Sequence, residues 1–188
     1  RRLISDMIVD DTFEDKIKQR CVIATGDPSV ADIMRFHDRP GEAGLKALED
    51  GAPIFVDIKM VEAGILKKGH KSPIVAFIGQ GDALAAAQGI TRSSAGVIAL
   101  QEKLSGSIVV IGNAPSALLT LCELIESKKV LPRLVIGAAV GFVNAAESKE
   151  RLREIDVPSI STAGTRGGTP IAVAAINEII NTYARTAR

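Results

Sequence analysis

Three segments place glycine beside groups able to hold an anion: Gly112-Asn113-Ala114-Pro115-Ser116, Gly137 through Phe142, and Gly164-Thr165-Arg166-Gly167-Gly168. Each directly follows a short β-branched run, so each is expected at the carboxyl end of a strand. Glycine there lets backbone approach a ligand, and a helix that follows aims unpaired N–H groups at the same spot. The first segment suits an anion on these grounds, and in the third Arg166 is the best anion ligand, supported by backbone N–H groups and by Thr169 as a cap. Taken singly, each segment also reads as a plain strand-to-helix turn, with Ser116 and Thr169 as ordinary caps. Three at three strand ends read as one crevice, because the carboxyl ends of an open parallel sheet line the ligand site. Thr91-Arg92-Ser93-Ser94 opens a further helix after Gln88-Gly89. Arg92 reads either as a ligand for a second carboxylate or as an exposed first-turn residue beside the capping Thr91.

Other reactive side chains are few. Cys21 and Cys122 match neither a metal spacing nor a disulfide framework and read as core thiols. His37, between charges in Arg35-Phe36-His37-Asp38-Arg39, and His70, in the lysine-rich loop Lys67 to Lys71, read as surface groups. No Gly-x-Gly-x-x-Gly follows a strand and no Walker loop is present, which disfavours ordinary nucleotide cofactors.

The elements that must position these groups follow from periodicity. Pro53–Asp57, Pro73–Gly79, Ser107–Gly112, Arg133–Gly137 and Pro158–Thr162 are short and rich in β-branched residues, and read as five strands. Helical patterns alternate with them: Leu118, Leu121, Cys122 and Ile125 share one face, as do Ala172, Ala175, Ile176, Ile179, Ile180 and Tyr183. The strands are apolar nearly throughout, which calls for a parallel sheet covered on both sides by helices: a doubly wound α/β domain. The first 50 residues give helical stretches around Phe13–Ala24, Pro28–Phe36 and Gly41–Glu49, an all-helical preface. A length of 188 residues with 46% hydrophobic content fits one domain over 1–188. With 23 basic against 22 acidic residues, one Tyr and five Phe, a nucleic-acid surface with stacking aromatics is disfavoured and a small partner is expected. The apolar run Leu134–Val143 is about half of what a membrane span needs, and the start carries no signal-peptide pattern, so a cytoplasmic, soluble protein is expected.

Several of these segments together resemble the precorrin-8X methylmutases of cobalamin biosynthesis. They are Gly112-Asn113-Ala114-Pro115-Ser116-Ala117-Leu118, Val140-Gly141-Phe142-Val143 running into Ala146–Glu150, Thr91-Arg92-Ser93 and Gly164–Gly168. The likeness extends from about Arg20 through Asn177 and takes in Thr25-Gly26-Asp27, Gly51-Ala52-Pro53, Asp57, Met60-Val61 and Ala63-Gly64-Ile65. It implies a flavodoxin-like five-stranded parallel sheet, a homodimer, and rearrangement of precorrin-8 or its cobalt complex. The implied reaction is a methyl shift from C-11 to C-12, giving hydrogenobyrinate or cobyrinate. No added cofactor is implied, any cobalt belonging to the substrate. The substrate-binding set it implies is Thr91, Arg92, Ser93, Asn113, Ser116, Val140, Gly141, Phe142, Arg166, Gly167 and Gly168. The arginines would clamp carboxylates of the tetrapyrrole, Val140 to Phe142 would contact the ring, and Asn113 and Ser116 would orient its polar substituents.

The chain departs from that family's pattern at Ile23, where the family has a histidine implied to act as general acid; isoleucine can neither donate nor accept a proton. The catalytic group is therefore unassigned, His37 is one replacement to weigh, and a corrinoid-binding carrier without mutase activity is the alternative reading. Ala139 stands for a family proline and Ser116 for a threonine, Ser5 is the only match to a serine of the family's N-terminal closing segment, and Lys149 reads equally as a helix-surface partner of Glu147 or Glu150 and as a group touching substrate.

Overall fold

The computed structural model describes residues 8 and 11–187; Ser5 lies outside them. In chain order the elements are α1 (Phe13–Thr25), α2 (Val30–Ile33), β1 (Met34–His37), α3 (Pro40–Glu49), β2 (Ile54–Val56), α4 (Lys59–Gly64), β3 (Ile74–Ala76) and α5 (Asp82–Gln88). There follow α6 (Arg92–Ala99), α7 (Gln101–Leu104), β4 (Ile108–Ile111), α8 (Pro115–Glu126), β5 (Leu134–Gly137), α9 (Ala145–Glu154), β6 (Ser159–Thr162) and α10 (Thr169–Thr186).

The sheet has six strands in the order β1-β6-β5-β4-β2-β3. Five are parallel and coincide with the five expected from sequence. The sixth corrects the reading of an all-helical preface and a five-stranded parallel sheet: Met34–His37 pairs antiparallel with β6, Met34 opposite Thr162 and His37 opposite Ser159. The helical stretch expected around Pro28–Phe36 shrinks to the single turn Val30–Ile33, with Ser29 at its N-cap position. The chain then covers the exposed edge of β6, whose unpaired backbone groups reward an added strand irrespective of local propensity.

Continuous apolar strands predict burial on both faces, and β2, β4, β5 and β6 are buried at every position. Side chains alternate across the sheet. Ile54, Ile108, Leu134 and Ile160 join the core formed with α1, α3, α4 and α10, while Phe55, Val109 and Val135 join the core formed with α6, α8 and α9. α10 packs along α1, and its own buried face runs through Ile171, Ala175, Ile176 and Ile179. Both cysteines are fully buried, as the sequence suggested, and burial pushes both thiols up to about 12.

The winding reverses between β2 and β4: β3 lies on one side of β2 and β4 on the other. A reversal of this kind opens a crevice at the strands' carboxyl ends. Asp57, directly after β2, and Gly112, directly after β4, face each other there.

Candidate active site

All three glycine segments fall where expected, at the carboxyl ends of β4, β5 and β6. They brace one another through backbone: Gly168 N–H donates to the Ala138 carbonyl at 2.7 Å and Gly141 N–H to the Thr165 carbonyl at 3.2 Å. The approach at Gly167 excludes any side chain, because a Cβ there would lie 2.4 Å from the Ala138 oxygen and 2.5 Å from that of Ala139. This braced frame forms a rim at the carboxyl ends of the strands.

The anion-holding groups of the rim are not idle. In the first turn the N–H groups of Gly112, Asn113 and Ala114 all donate to the carboxylate of Asp57, at 3.0, 2.7 and 2.8 Å. The expected anion site at the end of β4 is thus filled by the protein's own carboxylate. Asp57 has 0% exposure. Burial pushes its carboxyl above the usual range, against the opposing pull of the three N–H donors.

Arg92 donates through Nε and Nη2 to the two oxygens of Asp82, at 2.9 and 2.7 Å, a bidentate pair. Arg166 donates to the Ser29 hydroxyl at 2.9 Å and to Asp27 Oδ2. Asp27 also accepts from the Ser29 hydroxyl and N–H, and the Ser29 hydroxyl, followed by Arg166, holds its carboxyl below the usual carboxylate range. Through this cluster the loop after β6 grips the chain just past α1. Both arginines remain about half exposed, at 59% and 48% of the side chain, so their free edges face solvent.

Hydroxyls link two helix starts. Thr91 caps α6 by accepting from Ser94 N–H at 3.1 Å, and its oxygen lies 2.8 Å from Ser116 Oγ in the first turn of α8. Ser116 and Thr169 do not cap: Ala114 and Gly168 precede those helices, and each first turn carries a proline instead. Asn113 is exposed, Ser93 is half-buried in the first turn of α6, and Phe142 projects at 96% exposure, with Val143 at 76% beside it. Lys149 corrects the surface-pair reading, since it is fully buried and donates to Thr162 Oγ1 and to the Arg166 carbonyl. Burial, with the nearby Arg153 cation, pulls its ammonium down to about 8.

Residues 2–182 match the sequence model of the precorrin-8X methylmutases. The chain belongs to that family. Among its relatives is the cobalt-precorrin-8 methylmutase of Methanocaldococcus jannaschii, 45% identical over 87% of this chain and 77% of that one. The precorrin-8X methylmutase of Pseudomonas aeruginosa is 39% identical over 88% of this chain and 82% of its own. The solved precorrin-8X methylmutase of Thermus thermophilus superposes with a TM-score of 0.90 at 35% identity, covering 98% of this chain and 93% of that one.

Against the methylmutase family pattern, Ile23 sits on the last turn of α1 and is 42% exposed. It lines a cleft of about 420 Å³ between α1 and the end of α10, with Lys16, Gln19, Arg20, Glu178 and Arg185, rather than standing among the strand-end turns. The Asp27–Arg166 cluster is what joins its helix to the rim. Neither histidine replaces the missing one. His37 lies opposite Ser159, the first residue of β6, at the far end of that strand from the crevice. His70 precedes β3, accepts from Ser72 N–H at 3.1 Å and contacts the Leu66 carbonyl at 2.7 Å, so it clips its own loop. The exposed and half-buried side chains of the rim that carry exchangeable protons include the Thr91, Ser93 and Ser116 hydroxyls, the Asn113 amide and the guanidinium groups of Arg92 and Arg166, while Lys149 lies buried.

Sequence reasoning missed Asp57 and Lys149 as supports of the rim. The nearest signal for Asp57 was its place directly after a strand; Lys149 gave none beyond a charged residue on the apolar side of α9, where Ala145, Ser148 and Leu152 are also buried. Among the described residues no group of three or more His, Cys, Asp or Glu is placed to hold a metal ion, and no helix is long and apolar enough to cross a membrane.

Proposed function

We propose that this chain is a methylmutase acting on precorrin-8 or cobalt-precorrin-8, moving a methyl group from C-11 to C-12 to give hydrogenobyrinate or cobyrinate. Family membership over nearly the whole chain carries this reading. The reaction is an isomerisation, so atoms and electrons balance within the substrate and the protein consumes no co-reactant. Its tasks are to bind the macrocycle, exclude water and orient the migrating group. We assign no cofactor to the protein, since cobalt, where present, arrives in the ring.

The rim divides the binding work by chemistry. Arg92 and Arg166 have free guanidinium edges for carboxylates of the tetrapyrrole, each already held in place by an internal aspartate. The glycine-lined stretch from Val140 to Phe142 offers backbone at close range and one projecting aromatic ring for the macrocycle face. Asn113, Thr91, Ser93 and Ser116 supply neutral donors for polar substituents, and Gly167 and Gly168 keep the floor low. The proposal includes a flavodoxin-like winding, supported by the parallel order β3-β2-β4-β5-β6, which is 2-1-3-4-5 when those five are counted alone. It also includes a homodimer, as the family resemblance implies, and a cytoplasmic location.

The test mixes purified protein with precorrin-8 and follows the absorption spectrum. Conversion to hydrogenobyrinate supports the mutase. A bound but unconverted spectrum would replace it with a carrier, and no binding would refute both. Ile23→His is expected to raise turnover by restoring a proton donor near the end of α1.

A further inference from the structure

Lys149 is the one lysine that α9 turns into the protein, and it is fully buried. Its Nζ donates to the Arg166 carbonyl at 2.6 Å and to Thr162 Oγ1 at 3.0 Å. The Thr162 hydroxyl in turn donates to the same carbonyl at 2.6 Å. Two donors from two elements therefore converge on one backbone oxygen, that of the residue whose guanidinium holds Asp27 and Ser29. The nearest carboxylates on its own helix, Glu147 and Glu150, are exposed, and Glu150 lies 3.9 Å from Arg153.

We infer that Lys149 is a positioning residue for the site: its ammonium fixes the Arg166 carbonyl and thereby sets where the Arg166 guanidinium stands between the rim and the end of α1. The activity side of this inference rests on the methylmutase reading.

A contribution to stability does not explain the arrangement. A buried ammonium with no carboxylate partner among the described residues costs desolvation, and burial with Arg153 pulls its proton affinity down to about 8. An apolar side chain of similar length would avoid that cost. It would leave no polar atom stranded, because Thr162 still donates to the Arg166 carbonyl and that carbonyl still has a partner. What methionine cannot do is hold the carbonyl from the α9 side. The Arg166 carbonyl would then keep a single donor, the Thr162 hydroxyl, and the guanidinium beyond it would lose one of the contacts that set its register. Misplacing a binding group by about 1 Å costs about 100-fold in rate.

The experiment is Lys149→Met, read three ways. Thermal unfolding is expected to stay at or above the wild-type midpoint. Amide exchange of Gly168 and Gly141, whose N–H groups tie the β5 and β6 turns together, is expected to quicken about tenfold while the core strands stay protected. Turnover of precorrin-8 is expected to fall about 10- to 100-fold in kcat/KM, and adding Arg166→Ala to the variant is expected to lower it little further. A variant that unfolds, or one whose exchange and turnover match the wild type, overturns the inference, the first by making Lys149 a stabilising residue and the second by making it idle. Wild-type protein that binds but does not convert precorrin-8 defeats the methylmutase reading alone. The exchange rates then decide the role of Lys149 by themselves.

Discussion

Replacing Asp57 tests the claim that the crevice floor is closed from inside. Its carboxylate accepts three backbone N–H groups at 2.7 to 3.0 Å, two of them, from Gly112 and Ala114, fully buried. Asn113 N–H is partly exposed and can turn to water. Asp57→Ala therefore strands two buried donors at about 1–3 kcal/mol each and removes their charge-assisted bonds, for an expected loss of about 3–5 kcal/mol. Asp57→Asn keeps one acceptor oxygen but turns an NH₂ group toward the remaining donors, and is expected to cost about 2–3 kcal/mol. Urea unfolding followed by far-ultraviolet circular dichroism measures both. With a slope of about 2–3 kcal/mol per M, the alanine variant should lose roughly 1.5 M in midpoint at unchanged slope. The sign with pH is also fixed. Because burial leaves the folded carboxyl above its ordinary 3.8, the folded state holds the proton more readily than the unfolded chain. Asp57 thus lowers stability as pH rises from 3.8, and it contributes nothing to acid unfolding. An alanine variant within about 1 kcal/mol of wild type, or one equal to the asparagine variant, would refute the reasoning.

Three further outcomes follow from other contacts. Gly167→Ala should collapse the rim, since its Cβ would meet two backbone oxygens at 2.4 and 2.5 Å, whereas Gly164→Ala, with φ of 69° and open space around it, should cost only about 1 kcal/mol; thermal unfolding of the pair checks this. The folded Lys149 ammonium is pulled down to about 8 from an ordinary 10.5, so the unfolded chain binds more protons there between those values and the Lys149 contribution to stability should rise with pH by about 3 kcal/mol across that window; the two buried thiols act with the opposite sign above pH 9 in both proteins, so the difference between wild-type and Lys149→Met unfolding curves taken from pH 7.5 to 10.5 should carry that rise. Neither Cys21 nor Cys122 should react with Ellman's reagent at neutral pH until the chain unfolds, and rapid modification of either in the native state would contradict their burial.

The five parallel strands were legible because their composition answers to one demand, burial on both faces, which apolar β-branched runs meet locally. β1 was not. Met34-Arg35-Phe36-His37 carries no β-branched residue and alternates only loosely between buried and exposed, so its state is decided by the open edge of β6, which lies more than a hundred positions away in sequence. The glycine turns were legible because backbone that approaches other backbone as closely as Gly167 does admits no other residue. Their partners were not. Nothing around Asp57 announces that three N–H groups some 55 positions later converge on it, and the spacing of Lys149 on α9 is equally compatible with a surface pair until β6 and its loop are packed against that helix. Arg92 and Arg166 were found by type, but that each already holds an aspartate depends on where α5 and the chain after α1 are packed.

Those two aspartates turn binding at the rim into a competition governed by mass action. Asp82 and Asp27 are tethered to the surface beside their arginines, so each behaves as a carboxylate present at an effective concentration of about millimolar or higher. A free monocarboxylate below that concentration has no advantage over a rival of that kind and leaves the arginines occupied. A ligand carrying several carboxylates on one rigid frame is different: once one is engaged, the others arrive at comparable local concentration and can trade places with both aspartates in turn. On the proposed binding role of Arg92 and Arg166, the rim would sort anions by valency and spacing before any chemistry began, and the displaced aspartates would take the arginines back when the product left.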